Sequence, residues 1–499
     1  MALLGIDVGT GGSRAILINE QGKVLASATE NHEPFASPKT GWAEQAPEDW
    51  WRASQIAIRS VLKQGALDPD TVTGIGLSGQ MHGAVLLDAS GSVVRPAIIW
   101  CDQRTQTQCQ WLTDTIGTAR LIELTSNPAL TGFTLPKLLW VREHEPSEWT
   151  QVKRVLLPKD YVRLRLTGAY ATDVADASGT LLFDVANRRW SPEILDATGL
   201  SLDHLPSVFE GPDVTGAITA DAASATGLPV KTPVVAGGGD QAAGAVGMGI
   251  VQPGAVSATI GTSGVVFAAT DRPALDPEGR VHTFCHAVPN RWHVMGVTQA
   301  AGLSLRWFHN EFGTVKNDDD RDPYEQLCDE AATIGAGADD LLWAPYLMGE
   351  RTPHLDPNAR AALVGLTVSH TRAHIVRAIL EGVAFSLRDS FTIFEEMKVP
   401  VQQIRLGGGG ARSTLWQQIQ ADVYGQQVLT LTAEDGAAYG AALLAGVGTG
   451  VWSSVDEACN QTVTVASRVD PDVKTAEHMT DHYTRYRSLY PALKKVAYT

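Results

Sequence analysis

The sequence predicts an α/β protein of two homologous lobes, each of which opens with a β-hairpin. Residues 7–16 read DVGTGGSRAI and residues 259–268 read TIGTSGVVFA, so a Gly-Thr turn recurs after 252 positions in a chain of 499 residues. Strand-like and helix-like runs alternate along the rest of the chain, as in α/β folds. A chain of this length exceeds what one hydrophobic core usually supports, which also favours two large lobes.

The composition and charge exclude several classes of protein. The chain has 39 Lys and Arg against 55 Asp and Glu, a formal net charge of −16, which argues against binding nucleic acid or an anionic membrane. No run approaches the roughly 18 apolar residues of a membrane helix, and no export leader is expected at the N-terminus. The five cysteines are odd in number and lack metal-binding spacing, so we expect reduced thiols and a cytoplasmic location.

The two glycine-rich turns are candidate phosphate sites. Each lies between two β-prone runs, and such a turn lets backbone N–H groups approach phosphate oxygens while Thr hydroxyls add donors. One such turn could be only a tight hairpin, but its repetition favours a nucleotide held between the lobes. The turn residues are Gly9, Thr10 and Gly11 in the first copy and Gly261, Thr262 and Ser263 in the second. Only the first copy has an acid before the turn, Asp7 in place of Thr259, and a hard cation would need that carboxylate.

Local patterns predict further elements in chain order. We expect a helix over 47–64, strands over 74–78 and 83–88, a loop-rich segment over 212–235, a buried strand over 233–236, a helix over 370–390, a strand, turn and helix over 404–424, and a helical tail over 470–499. The predicted lobes are residues 1–245 and 246–499.

A run of three glycines places Asp240 at the start of a helix. Gly237–Gly239 follow the buried strand and let the chain turn sharply beside a bound molecule. Asp240 could merely cap that helix. Because capping does not require three glycines, we favour a general base that accepts the proton of a hydroxyl nucleophile.

Two segments are candidates for a polyol site. Met81 and His82 interrupt two strand-like runs, while Trp100 and Asp102 follow an apolar strand. An indole face packs against C–H groups, and polar edges pair with hydroxyls. The alternatives are a buried structural histidine, a tryptophan that fills the core, and a surface ion pair between Asp102 and Arg104.

A second glycine run follows a strand and precedes a helix. It comprises Gly407–Gly410 and is followed closely by Ser413. The absence of side chains predicts a close approach of the backbone to a flat ligand such as adenine with its ribose.

These motifs together resemble the FGGY family of carbohydrate kinases, members of the actin, Hsp70 and hexokinase superfamily, and within it the xylulokinases. Two segments match the family's signatures: residues 132–144 (GFTLPKLLWVREH), and the stretch that starts with AALVGL at 361–366, passes His374 and ends with AILE at 378–381. The resemblance runs from Gly5 to about Arg487. It implies two ribonuclease H-like (actin-like) lobes with a deep cleft between them.

The resemblance also implies roles for individual residues. It assigns Asp7 to Mg²⁺, both hairpins to the phosphates of ATP, and Asp240 to proton abstraction. It assigns Gly409, Gly410 and Ser413 to the adenosine. The expected sugar site then consists of Met81, His82, Trp100, Asp102 and Gln241. Gln241 departs from the Asn that xylulokinases often carry and is more typical of glycerol kinases.

The implied activity is transfer of the γ-phosphoryl group of ATP to the terminal hydroxyl of D-xylulose, and a homodimer is expected. Another ketose or polyol, such as ribulose or glycerol, is an alternative substrate. Gluconate is disfavoured because only Arg104 offers a cation for its carboxylate. From different classes, a nucleotide switch of the actin or Hsp70 kind would need no sugar pocket, and a sugar-sensing repressor is disfavoured by the negative charge.

Overall fold

The first half of the chain contains a seven-stranded mixed β-sheet and four two-stranded sheets. A computed structural model describes residues 1–313, 321–432 and 436–498. The strands of the first half are β1 (Ala2–Val8), β2 (Gly12–Ile18), β3 (Val24–Asn31), β4 (Glu44–Gln45), β5 (Val72–Gly79), β6 (Val85–Leu87), β7 (Ala97–Ile98), β8 (Arg154–Leu156), β9 (Ala171–Asp173), β10 (Phe183–Asp184), β11 (Arg189–Trp190), β12 (Ser207–Phe209), β13 (Val214–Ala217), β14 (Pro233–Val235) and β15 (Gly238–Gly239). Its helices are α1 (Pro47–Gly65), α2 (Gln106–Ile116), α3 (Thr118–Thr125), α4 (Thr134–His144), α5 (Pro146–Trp149), α6 (Pro158–Thr167), α7 (Val174–Ser178), α8 (Pro192–Thr198), α9 (Ala220–Thr226) and α10 (Asp240–Gly247).

The second half repeats this design. Its strands are β16 (Gly254–Ile260), β17 (Gly264–Thr270), β18 (His282–Cys285), β19 (Trp292–Thr298), β20 (Leu342–Ala344), β21 (Ala362–Val364), β22 (Val401–Gly408), β23 (Val428–Leu431) and β24 (Val465–Val469). Its helices are α11 (Gly302–Phe312), α12 (Pro323–Ala332), α13 (Arg372–Glu396), α14 (Thr414–Tyr424), α15 (Gly436–Gly448), α16 (Val455–Thr462), α17 (Val473–Arg487) and α18 (Leu489–Lys494).

The two main sheets have corresponding strand orders. The first runs β13-β14-β5-β1-β2-β3, with β15 also paired to β5, and the second runs β18-β19-β17-β16-β22-β23-β24. In each sheet the hairpin strands pair antiparallel, and the first strand pairs parallel with a later one, β1 with β5 and β16 with β22. The predicted two-lobed α/β fold is confirmed.

The strands of the two hairpins match residue for residue, and the turns between them differ by one residue in their closing hydrogen bond. β1 and β16 each have seven residues, as do β2 and β17, and both pairs are offset by the interval seen in the sequence. The Gly9 N–H donates to the Gly12 carbonyl at 3.0 Å, and the Gly261 N–H donates to the Ser263 carbonyl at 2.9 Å. Both sequence motifs therefore fold into the tight turns that were predicted.

One helix of the second half packs on the sheet of the first. Helix α15 lies across β1 and β5 and against α10. The contact is so close that a Cβ atom on Gly5 would collide with the Ala438 carbonyl, and one on Gly76 with the Ala441 carbonyl. The two halves therefore share a core, lined here by glycine and alanine.

The local predictions hold with one correction. Residues 212–235 were expected to be mostly loop, yet they contain β13 and α9. The glycines that suggested a loop have other places in the structure: Gly216 lies inside the strand, and Gly227 ends the helix with a φ of +80°. The predicted division at 245/246 falls in the last turn of α10, and it stays a prediction. Position 499, the end of the predicted helical tail, lies outside the described residues.

Two expectations from composition can be compared with the structure. All five cysteines are free. Among the described residues, no helix combines the length and the apolar character that crossing a bilayer requires.

Candidate active site

Parallel strands bring the candidate catalytic groups to one edge of the first sheet. Asp7 on β1 lies in register with Ser78 on β5, and Gly238 on β15 lies in register with the same Ser78. Since ligands of open α/β sheets bind at the carboxyl ends of the strands, the segments that follow these strands define the candidate site. They include the Gly9–Gly11 turn, Met81–His82 and Asp240.

Asp7 is held in a fixed orientation beside the first turn. The Ser78 hydroxyl donates to its Oδ1 at 3.0 Å. Burial raises the pKa of Asp7, and the Ser78 hydrogen bond and the charge of Arg14 partly offset that increase. One carboxylate oxygen is thus engaged by the protein.

Asp240 has the pKa of a base that works near neutrality. Burial raises its pKa to about 7, the nearby charge of Asp7 adds to the increase, and hydrogen bonds from Gln241 oppose it. The helix cap is Gly239 rather than Asp240, and no side chain caps this end. The capping alternative is therefore wrong, because Asp240 already lies inside α10.

The three glycines before Asp240 have a steric cause. Gly237 has a φ of +75°, and a Cβ atom there would collide with the Leu77 carbonyl. A Cβ atom on Gly239 would come within 2.8 Å of the Met81 side chain. The turn can therefore pass between β5 and the Met81 segment only without side chains.

His82 presents a neutral imidazole in a strained backbone conformation. Its φ is +68°, which is uncommon for any residue other than glycine and often marks a functional position. Burial lowers its pKa to about 3. Its Nδ1 lies 2.6 Å from the Gly179 carbonyl, which can only accept, so the proton is on Nδ1. Nε2 is therefore a hydrogen-bond acceptor.

Two side chains of the 132–144 segment hold the strained backbone of His82. Lys137 Nζ donates to the His82 and Gly132 carbonyls at 2.8 Å each, and the Thr134 hydroxyl donates to the His82 carbonyl at 3.1 Å. Burial lowers the pKa of Lys137 to about 7. The sequence offered one signal for this role, a lysine within the apolar stretch LPKLLW, but gave no indication of its partner.

Trp100 and Asp102, both predicted to contact the sugar, lie in different surroundings. Trp100 is 40% exposed, and its Nε1 donates to the Thr10 hydroxyl at 2.9 Å, so it contacts the first turn. Asp102 is fully buried, where it accepts hydrogen bonds from Arg104 Nε at 3.0 Å, from Arg104 Nη2 at 2.7 Å and from the Ala43 N–H at 2.6 Å. The structure therefore does not support a sugar contact by Asp102.

Arg104 is also removed from the candidate site. Besides Asp102 it pairs with Glu44 at 2.7 Å, and its guanidinium lies 3.7 Å from the centre of the Trp42 ring. The ion pair considered from the sequence exists, but it is buried rather than at the surface, since the Arg104 side chain is 1% exposed.

A buried ionic cluster joins α6 to the start of α7. Lys159 Nζ lies 2.7 Å from Asp160 and Asp173 and 3.1 Å from Asp176, and all four side chains are fully buried. Burial raises the pKa of Asp176 well above its usual value, and the charge of Lys159 opposes that increase. Arg163 joins the cluster through Asp160 and donates to the Val235 carbonyl at 2.8 Å, two residues before the glycine turn.

Two cavities lie on the second half's side of the site. One, of about 480 Å³, is lined by Gly261, Thr262, Gly409, Gly410 and Ser413 and also by Arg306, Tyr324, Cys328 and Trp416, which the sequence analysis did not identify. The other, of about 450 Å³, contains Asp240 and Gln241 together with Thr259 and Gly407–Gly409. Ser413 also caps α14 by accepting from the Trp416 N–H at 3.3 Å.

Family models match both halves of the chain. The model for the N-terminal domain of the FGGY family of carbohydrate kinases matches residues 2–247, and that for the C-terminal domain matches residues 256–449. The chain belongs to the FGGY family of carbohydrate kinases.

Individual relatives align with this kinase over nearly its whole length. The xylulose kinase of Bacillus subtilis (strain 168) is 40% identical over 99% of this chain and 97% of its own length. The xylulose kinase of Escherichia coli (strain K12) is 42% identical over 98% and 99%. The crystal structure of xylulose kinase from Rhodospirillum rubrum superposes with a TM-score of 0.92 at 30% identity and covers all of both chains.

The FGGY kinase thus brings many of the predicted site residues to the edge of the first sheet where its parallel strands end. Asp7, Gly9–Gly11, Met81–His82 and Asp240–Gln241 follow the strands of the first sheet, and Trp100 joins them through Thr10. Gly261–Ser263, Gly409–Gly410 and Ser413 lie on the second half. Asp102 is the predicted site residue that the structure places in a buried ion pair instead.

Proposed function

We propose that this kinase transfers the γ-phosphoryl group of ATP to the terminal hydroxyl of D-xylulose. The observation that carries the proposal is Asp240, a carboxylate with a pKa of about 7 at the start of α10, between the first hairpin and the second cavity. The relatives that match nearly the full length carry the name xylulose kinase, which supports D-xylulose over ribulose or glycerol.

Asp240 is suited to accept the proton of the attacking hydroxyl. As that hydroxyl oxygen forms a bond to the γ-phosphorus, the bond from phosphorus to the bridging oxygen of ADP breaks. A base with a pKa near the working pH is ionised in about half of the molecules and is still basic enough to take up the proton.

His82 and Met81 are suited to hold the sugar. The free Nε2 of the neutral imidazole accepts a hydrogen bond from a sugar hydroxyl, and Met81 packs its buried side chain against the Gly239 turn. Their position next to Asp240 orients the hydroxyl toward the base. Gln241 lies beside Asp240 at the same cavity and is the expected amide partner of the sugar.

The donor set fits Mg²⁺. Asp7 and Asp240 are close enough for the charge of one to raise the pKa of the other, and Mg²⁺ needs only one or two carboxylates when it also binds substrate phosphates. Asp7 would hold the ion, which neutralises phosphate charge when bound. The backbone N–H groups of the two hairpins and of Gly409–Gly410 would hold the nucleotide.

A substrate panel tests the proposal. ADP release is measured with D-xylulose, D-ribulose, L-ribulose, glycerol, gluconate and no acceptor. We expect the highest kcat/KM with D-xylulose and little release without acceptor. A response led by glycerol or gluconate would overturn the substrate, and acceptor-independent hydrolysis at the same rate would support the nucleotide switch instead. The predicted homodimer and cytoplasmic location stay predictions, the former to be checked by light scattering.

A further inference from the structure

The second glycine-rich turn, Gly261–Ser263, is held by the chain that leads from β19 into α11. The Ala301 and Leu303 N–H groups donate to the Thr262 carbonyl at 3.0 and 3.1 Å. The Gly302 N–H donates to the Gly261 carbonyl at 2.8 Å. The carbonyl oxygens of the turn are therefore bonded to a supporting segment, residues 299–303, that lies next to it.

Two N–H groups of the same turn have no acceptor within the protein. Among residues 1–313, 321–432 and 436–498, neither the Thr262 N–H nor the Ser263 N–H donates a hydrogen bond. Gly261 and Thr262 line the cavity of about 480 Å³. Backbone N–H groups of this kind suit phosphate oxygens, provided that the turn keeps its shape.

The Glu350 side chain fixes the start of the supporting segment. It is 3% exposed, and its Oε1 accepts from the Gln299 N–H at 2.8 Å. Gln299 directly follows Thr298, the last residue of β19, and Thr298 lies in register with Gly264, the residue after the turn. The Glu350 carboxyl therefore acts where β19 ends and the supporting segment begins.

Glu350 is itself firmly anchored beside β19. Its N–H donates to the Asp356 carbonyl at 2.9 Å, and its carbonyl accepts from the Asp356 N–H at 2.8 Å. Thr352 donates its N–H to the Val297 carbonyl at 3.0 Å, and its hydroxyl oxygen accepts from the Val297 N–H at 3.0 Å. The Glu350 side chain supplies the next acceptor along this edge of β19.

A neutral carboxyl is sufficient for this role. Burial raises the pKa of Glu350 to about 8, and the N–H groups of Gln299 and Arg351 oppose that increase. Its Oε2 is buried and has no hydrogen-bond partner among the described residues. A glutamine, which is neutral and also carries one carbonyl oxygen, can therefore replace the acid at this position.

We propose that Glu350 is a positioning residue for the second phosphate turn. By accepting the Gln299 N–H, it holds residues 299–303 against the turn and so keeps the Thr262 and Ser263 N–H groups in place for the phosphates of ATP. Glu350 does not touch the nucleotide and acts through the backbone. This inference rests on the proposed role of that turn in holding ATP.

Glu350→Ala removes the acceptor and is tested by binding. We expect the calorimetric Kd of a non-hydrolysable ATP analogue to rise about 5- to 30-fold, while the Kd of adenosine, which has no phosphate, changes less than about twofold. The KM for ATP should rise with the first Kd, and the KM for D-xylulose should not. Glu350→Gln, which keeps the acceptor oxygen, should return the Kd of the analogue to nearly that of the unmodified kinase.

Asp422→Ala is the matched control. Asp422 is a buried carboxyl of the same half that accepts the Asp472 N–H at 2.8 Å, near the C-terminal end of α14. Its loss should lower the unfolding temperature, as Glu350→Ala does, but should change neither Kd. If Glu350→Ala does not fold, Glu350→Asp decides the test, because its carboxyl is one methylene shorter and should give a smaller rise in the same Kd.

Three outcomes would overturn the proposal. The first is an unchanged Kd of the analogue in the folded alanine variant, or in the aspartate variant where that one decides. The second is an equal rise for the analogue and adenosine, which would mean that the whole nucleotide cavity is deformed. The third is no recovery in Glu350→Gln. Failure of the proposed function is separate, because it appears in the unmodified kinase as a lack of D-xylulose phosphorylation, whereas these binding measurements need no sugar.

Discussion

At the scale of single residues, two carboxylates of unequal role determine the electrostatics of the site. Asp7 is bonded to Ser78, while Asp240 has a pKa near 7 because burial and the charge of Asp7 both favour its protonated form. The same interactions that make Asp240 a useful base therefore work against the folded protein when Asp240 is ionised.

Asp240→Asn separates catalysis from binding. We expect kcat to fall by roughly 10²–10⁴-fold, because the amide cannot accept the proton, while calorimetric dissociation constants for D-xylulose and ATP change little. In the unmodified kinase, kcat/KM for the sugar should decline as the pH falls below about 7. Near-normal turnover by the folded variant would refute the role of base.

The same variant makes a prediction about stability. The folded pKa of Asp240 is raised from its ordinary value of 3.8 to about 7, so ionisation costs stability as the pH rises between these values, and the cost is constant above them. Asp240→Asn should therefore gain in unfolding temperature relative to the unmodified kinase at pH 8 but not at pH 4.

Trp100→Phe tests whether Trp100 serves the phosphate turn. Loss of the hydrogen bond to Thr10 should raise the KM for ATP about 2- to 10-fold, with a smaller change for the sugar. Trp111→Phe, at an equally exposed tryptophan on α2, is the control. An increase in the KM for the sugar alone would instead support the sugar contact that the sequence predicts for Trp100.

At the scale of elements, helix α6 carries the charges that support the catalytic turn. Lys159 compensates the buried acids, and Arg163 bonds to the strand that leads into Gly237–Asp240. The fixed position of Asp240 thus depends on a neighbouring helix.

Lys159→Met should destabilise the kinase by about 3–5 kcal/mol, because it leaves buried acids without their counter-charge. Denaturant unfolding measures the loss. Lys153→Met, at an exposed lysine just before β8, should be neutral. A change of less than about 1 kcal/mol at Lys159 would contradict the buried cluster.

Gly76→Ala tests the contact of α15 with β5. The added Cβ atom would collide with the Ala441 carbonyl, and overpacking of this kind costs typically about 1–3 kcal/mol. Gly335→Ala is the control, since a Cβ atom there meets nothing within 4 Å. Equal unfolding temperatures for both variants would show that α15 moves away from the added Cβ atom with no loss of stability.

Sequence patterns predicted the structural features that depend on residues close together in the chain. The hairpins, the glycine turn before Asp240 and most helices follow from local glycine placement and periodicity, and all are found. The pair of Asp102 with Arg104 was an alternative from the sequence, but its burial was not, because that depends on contacts such as the Ala43 N–H, 59 positions away; Lys137 was missed because its bond to His82 spans 55. Such contacts exist only once the chain has folded.

At the scale of the whole molecule, the two halves combine similar backbones with different chemistry. The repeated hairpins are both predicted to offer N–H groups to phosphates, but Asp7 has Thr259 as its counterpart, so only the first hairpin has an acid before its turn. The predicted sugar-binding residues also lie on the first half, and most of the predicted nucleotide contacts lie on the second.

The crossing of α15 onto β1 and β5 has a consequence for synthesis on the ribosome. The first half is complete near residue 247, yet the helix that covers its sheet ends at Gly448, about 200 residues later. At roughly 5–20 residues per second, the nascent sheet waits roughly 10–40 s with one face uncovered, a period in which chaperones would protect it. Proteolysis of stalled nascent chains should find the first half cleavable until α15 has left the exit tunnel; protection of chains stalled soon after residue 247 would mean that the first half completes its fold without that helix.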